Sequence, residues 1–162
     1  MKYLFVLLVP LMLVHGRISD HPVIGEPVSR YYDGPLPSGS MIMTSPSSVM
    51  SSADVVVDGI RYRLGFNQPI HGVDPEEPIT YVETKDRQFV TPEGIHIRST
   101  MAEAIAASEK EHFMARGWAT IVVLPSGWKA AFYDAKNKTA EVTADSARVS
   151  WLFRDRTSAK RR

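Results

Sequence analysis

Four groups of side chains have types and spacings that chemistry could use. His71 precedes Asp74, Glu76 and Glu77 in HGVDPEE, residue types that bind divalent cations. Their spacing matches neither a calcium loop nor the paired histidines of a zinc helix, and prolines stiffen the segment. It reads as a solvated acidic loop. Beyond residue 16 the other histidines are His21, His96 and His112, and no two share an i, i+4 spacing. Ser126 in LPSGW lacks the flanking glycines of a nucleophile elbow, and Pro125-Ser126-Gly127 is ordinary turn chemistry. Glu83, Asp86 and Glu93 offer paired carboxylates for sugar hydrolysis. Lys85 and Arg87 beside them would lower carboxylate pKa values, whereas a general acid needs its pKa raised, so a surface ion-pair cluster is expected.

The fourth group is TPEGIHIRSTMAEAI, residues 91–105. A helix N-terminus can hold a phosphate through its free amides and its dipole. Here one glycine, Gly94, stands in place of a glycine-rich loop. Thr100 and Glu103 have the spacing of a capping box, which uses those amides internally. The segment therefore reads as a turn, a short strand with Ile95 and Ile97 on one side, and a helix start. His96 and Arg98, on the free side of that strand, are what remains available for contact. No motif calls for a catalytic group, a cofactor or a metal, although a serine triad assembled in space stays open to the fold.

These groups need elements to position them. The chain has 162 residues, 19 Lys and Arg against 18 Asp and Glu, and no cysteine. The near balance of charge gives no general field for nucleic acid. The absence of cysteine excludes disulfides, thiolate zinc sites and a cysteine nucleophile. MKYLFVLLVPLMLVHG has one lysine, an apolar run and a small residue, the layout of a secretory signal peptide over 1–16. The run is short for a membrane span, which takes roughly 20 apolar residues. A periplasmic or secreted protein is expected, with no stable span once the leader is cleaved.

Residues 17–52, rich in Pro and Ser, read as a linker or arm. From residue 53 a domain is expected to run to 155, followed by a basic tail, 156–162. ADVVVDGIRYRLGF reads as strand with a turn at Asp58-Gly59, and Ile60, Tyr62 and Leu64 alternate with Arg61 and Arg63. ITYVETKDRQFV reads as a further strand. MAEAIAASEKEHFMAR reads as one helix from Met101 to Arg116, with Gly117 as its C-cap. WATIVVL, WKAAFYD, TAEVT and ARVSWLFRD read as a meander of strands. The expected class is α+β, one main helix packed on an antiparallel meander.

The run D-x-x-F-x-TPEGI-x-I-x-ST-x-x-E followed by GW-x-x-x-V-x-LPSGWKAAF resembles a group of small exported bacterial proteins of poorly characterised function. The matching residues are Asp86, Phe89, 91–95, Ile97, Ser99, Thr100, Glu103, Gly117, Trp118 and 124–132, within roughly 55–134. More loosely, the chain is similar to the β-lactamase-inhibitor proteins and to small outer-membrane lipoproteins of barrel assembly. Those groups share a helix-on-sheet fold, bind proteins and lack catalytic residues. The chain departs from them in having no lipid-bearing cysteine and in carrying Arg98 where a glycine is usual.

The expected function is a non-enzymatic, exported protein-binding module, an inhibitor or immunity-type protein being a special case. Its partner would be another envelope or secreted protein; the sequence leaves the oligomeric state open. Trp118, Trp128 and Tyr133 are the aromatic types that anchor interfaces, and His96 and Arg98 join them as candidate contacts. An envelope hydrolase and a structural envelope component are the alternatives.

Overall fold

A computed structural model describes residues 21–34, 40–67, 74–108, 118–133 and 147–156, and the backbone of 113–115. The signal peptide, TAEVT, His71 and Gly117 lie outside the described residues. The strands are β1 (Met41–Ser45), β2 (Ser48–Val57), β3 (Ile60–Phe66), β4 (Tyr81–Thr84), β5 (Phe113–Ala115), β6 (Ala119–Val123), β7 (Lys129–Phe132) and β8 (Trp151–Asp155), with one helix, α1 (Met101–Ala107). All pair antiparallel in one eight-stranded sheet, in the order β1-β2-β3-β4-β8-β7-β6-β5. Among the described residues the protein is mostly antiparallel sheet with one short α-helix. The last strand, β8, lies between β4 and β7 and joins an N-terminal meander to a C-terminal one.

Asp58 and Gly59 both have positive φ, 51° and 80°, the geometry that reverses a two-residue hairpin between β2 and β3. Alternation in β3 sends Tyr62, Leu64 and Phe66 to one face and Arg61, Arg63 and Gly65 to the other. The first face holds the main core: Val55, Val82, Val122, Ala130, Phe132 and Leu152 from the strands, Met101 and Ala104 from α1, and Phe89, Ile95 and Trp128 from loops. The opposite face carries a second cluster of Ile42, Tyr81, Ala119, Ile121, Ala131 and Phe153. β4 and β7 are consequently buried at every position.

Two expectations need correction. The segment 17–52 is not a linker throughout: its residues 41–52 form β1, the turn after it and the first half of β2. Residues 21–34 pack on the core through Val28, which is fully buried. Gly25 N–H donates to the Ile79 carbonyl at 2.8 Å, and Ile79 N–H donates to that of Glu26 at 2.8 Å. Ser, Met and Pro there supply little of the β-branched alternation by which a strand is read, and backbone pairing decides instead.

The helix also stops early. The Thr100–Glu103 capping box is present: Glu103 N–H donates to Thr100 Oγ1 at 3.1 Å and Thr100 N–H to Glu103 Oε2 at 2.6 Å. α1 then ends at Ala107. Ser108 is extended, and its hydroxyl donates to the Val123 carbonyl of β6 at 2.6 Å. Phe113–Ala115, expected in the helix, pairs with β6 as β5. Good helix formers yield here to a strand partner, because local propensity is worth less per residue than tertiary pairing.

Between Thr91 and Thr100 there is no strand. Thr91 N–H donates to the Ile95 carbonyl at 2.9 Å, and Gly94, with φ 83°, turns the chain. Glu93 reaches across to the LPSGW turn. Its carboxylate accepts Ser126 N–H at 2.5 Å and Ser126 Oγ–H at 2.9 Å, while the Arg154 guanidinium donates to the Ser126 carbonyl. The two most recognisable motifs of the sequence are thus clasped to each other.

His21 lies edge-on to Tyr62 and Phe89, its Nδ1 2.6 Å from the Tyr62 hydroxyl. Burial, assisted by the Arg154 charge and opposed by Asp58, lowers its pKa below 6.5. The folded chain therefore binds fewer protons here than the unfolded one. Stability should be full above about pH 6.5 and fall as the pH drops through the folded value. In urea titrations from pH 8 to 5, the advantage of the native chain over His21→Gln should shrink within that window. The slope should stay below the limit of about 1.4 kcal/mol per pH unit, because solvent screens a half-buried ring. A constant difference would show that His21 does not titrate differently on folding.

Candidate functional site

The second face of the sheet gathers groups that alternation alone sends there. Curvature makes it a groove. Met41, Ile42 and Met43 of β1 line one cavity of about 260 Å³ together with Trp118, at the start of β6, and Trp151 of β8. Four strand spacings separate β1 from β8, roughly 19 Å in a flat sheet, so the sheet must curl toward this face. Gly65 permits it. A Cβ there would meet Tyr81 Cβ at 3.0 Å and Ile42 Cγ2 at 3.4 Å, so the missing side chain is the space into which β1 folds.

The floor of the groove is aromatic. Tyr81 and Phe153 stack at 5.4 Å, and Trp118 and Trp151 meet edge to face at 5.6 Å and 84°. Trp151 Nε1 is buried beside the Tyr81 hydroxyl, and among the described residues it has no hydrogen-bond partner of normal geometry.

Beside the aromatics runs a charged row. In register across β2, β3, β4 and β8 stand Asp54, Arg63, Glu83 and Phe153, followed by Lys129 of β7. Arg63 holds Asp54 through Nε at 2.7 Å and Nη2 at 3.2 Å, which lowers the Asp54 pKa. Lys129 Nζ bonds both carboxylate oxygens of Asp155, at 2.9 and 2.7 Å. Glu83 is 7% exposed, accepts from the Tyr81 hydroxyl at 3.3 Å, and has Lys85 Nζ 3.8 Å away. Burial raises its pKa, against the pull of Lys85 and Arg63. The expectation of a solvated ion-pair cluster with lowered pKa values fails at this residue, because its side chain points into the groove. It holds for Asp86 in direction, but the cause there is the backbone N–H groups of Gln88 and Arg61.

A second depression, about 510 Å³, adjoins the first and shares Arg63, Glu83 and Lys85 with it. Asp54, Arg61, Asp86 and Arg87 are among its other walls. Two adjoining depressions that share a buried carboxyl make this face the candidate site.

Of the expected contact residues, Trp118 alone stands in this groove. Trp128 is 1% exposed, packed on Phe89 at 4.6 Å and under the Arg154 guanidinium at 5.1 Å; it belongs to the core and not to a contact surface. Tyr133 is 42% exposed past the end of β7, its N–H donating to Ser150 Oγ. His96 and Arg98 occupy a turn in which His96 Nδ1 accepts Arg98 N–H at 3.1 Å; neither lines the groove. Trp151, Arg61 and Arg63 belong to no motif, and nothing local marks them as groove residues. The alternation of the two arginines in β3 is their one visible signal.

No family model and no curated protein matches the chain. Among solved structures it is similar to the uncharacterised protein yfeY from Escherichia coli, with 13% identity and a TM-score of 0.40 over 66% of this chain and 81% of that one.

Proposed function

We propose that the chain is an exported, non-enzymatic protein-binding module whose contact surface is the groove around Trp118 and Trp151. One observation carries this reading: one sheet face is covered by α1, loops and the 21–34 arm, while the other leaves indoles and charged side chains lining open cavities. Aromatic and arginine side chains together are the usual anchors of a protein contact. Export rests on residues 1–16. The likeness to the β-lactamase-inhibitor proteins rests on the sequence pattern, beside which Met101 and Ala104 of α1 join the main core. An inhibitor or immunity-type role is the narrower form of the proposal.

The second reading, an envelope hydrolase, draws on Glu83, a buried carboxyl whose pKa burial raises as a general acid requires. Binding is preferred because Glu83 already has the Tyr81 hydroxyl and Lys85 as neighbours, and among the described residues no histidine lines either cavity.

The test is retention of an envelope protein by the immobilised chain, compared with Trp118→Ala. The native chain should hold a defined partner, and the variant should lose at least tenfold in affinity, about 1.4 kcal/mol. Turnover of a cell-wall or peptide panel that Glu83→Gln abolishes would overturn the proposal in favour of the hydrolase.

A further inference from the structure

We infer that the partner inserts an acidic segment into the groove, with a carboxylate among Arg61, Lys85 and Arg87 and a neighbouring apolar side chain against Trp118 and Trp151. This rests on the protein-binding reading above and names the chemistry of what is bound.

Four cations, Arg61, Arg63, Lys85 and Arg87, line the larger depression against three carboxylates, Asp54, Glu83 and Asp86. The carboxylates are already engaged. Asp54 is held by Arg63 through two bonds, and Asp86 accepts Arg61 N–H at 3.1 Å and Gln88 N–H at 2.9 Å. Glu83 is buried beside the Tyr81 hydroxyl. The cations are less fully used. Among the described residues the Arg61 and Arg87 side chains form no ion pair, although Arg61 lies near enough to Asp54 and Asp86 to favour their charged forms. Lys85, with its side chain 65% exposed, is 3.8 Å from Glu83. The depression therefore favours an added negative charge, and an arginine fork binds a carboxylate in two places.

The adjoining cavity asks for something different. Ile42, Trp118 and Trp151 offer apolar surface. A peptide supplies both complements within a few residues: a carboxylate and an apolar side chain. Both cavities are open depressions on a sheet face, which suits a chain segment lying across them. Nucleic acid fits poorly, because the near balance of charge over the chain gives no extended positive field to gather a polyanion.

The test is selection of phage-displayed random dodecapeptides on the whole chain as isolated from cells. The best sequence is then synthesised and its binding followed by tryptophan fluorescence. Selected peptides should carry Asp or Glu within two residues of Phe, Trp or Leu. Replacing that acid by its amide should weaken binding at least tenfold, as should the double variant Arg61→Ala/Arg87→Ala. Peptides without acids, lost from Trp118→Ala but not from the arginine variant, would overturn the inference and leave the protein-binding reading standing. Failure of any peptide to bind in a Trp118-dependent way would sink both. Displacement of the peptide by polyphosphate as readily as by free acidic peptide would reduce the site to ion exchange and also overturn the inference.

Discussion

Trp128→Ala should lower the free energy of unfolding by about 3–5 kcal/mol, read in urea titrations followed by far-UV circular dichroism. The indole is 1% exposed, packs on Phe89 with centroids 4.6 Å apart, and lies under Arg154 at 5.1 Å. Phe89 in turn meets Tyr62 at 5.9 Å and His21 at 5.1 Å, so one ring supports an aromatic ladder reaching the N-terminal arm. Removing it opens a cavity that the surrounding strands cannot close, and the loss is large against a total of about 5–15 kcal/mol. Trp128→Phe keeps the contact with Phe89 and should retain most of the stability. A loss below about 1 kcal/mol for the alanine variant would show that the ring is not a core element.

The second large effect is expected at Glu93. Glu93→Ala should cost about 2–3 kcal/mol, because it removes two charge-assisted hydrogen bonds and leaves the half-buried Ser126 N–H without an acceptor. Ser126→Ala keeps the N–H bond to Glu93, removes the hydroxyl bond and the long contact that the hydroxyl accepts from Trp128 N–H at 3.4 Å, and should cost about 1 kcal/mol. The double variant should cost less than the sum, since the two single changes share the hydroxyl bond. Strict additivity would mean that the TPEGI and LPSGW turns are not coupled. The clasp gives those motifs a structural role. Glu93 fixes the β6–β7 turn to the loop that leads into α1, and Arg154 of β8 closes it from the other side.

The orientation of the β3 side chains was legible because alternation with period two is a local property. Ile60, Tyr62 and Leu64 against Arg61 and Arg63 could be sorted to faces with no knowledge of the neighbours. The capping box was legible for the same reason: its two partners lie three residues apart. The length of α1 was not, because 113–115 carries apolar residues compatible with helix or strand, and β6 settled the choice. Trp118 was legible as a contact residue by type alone, and the same argument misplaced Trp128. Identical side chains go to groove or core according to loop geometry that no local pattern encodes.

Local sequence is enough to establish the absence of thiol chemistry, the balance of charge, the turn at Asp58-Gly59, the start of α1 and the alternation that sends Arg61 and Arg63 away from the core. The structural features among these depend on residues within a few positions of one another, where sterics and hydrogen bonding act without help from the rest of the chain. Only the assembled sheet places β8 in its middle, folds β1 over Gly65, and buries Glu83 beside Tyr81 with Trp118 and Trp151 along the same groove. These outcomes depend on which strands pair over long separations and on how the sheet curls. The energies that settle them come from burial across the whole sheet and have no counterpart in any one stretch of sequence.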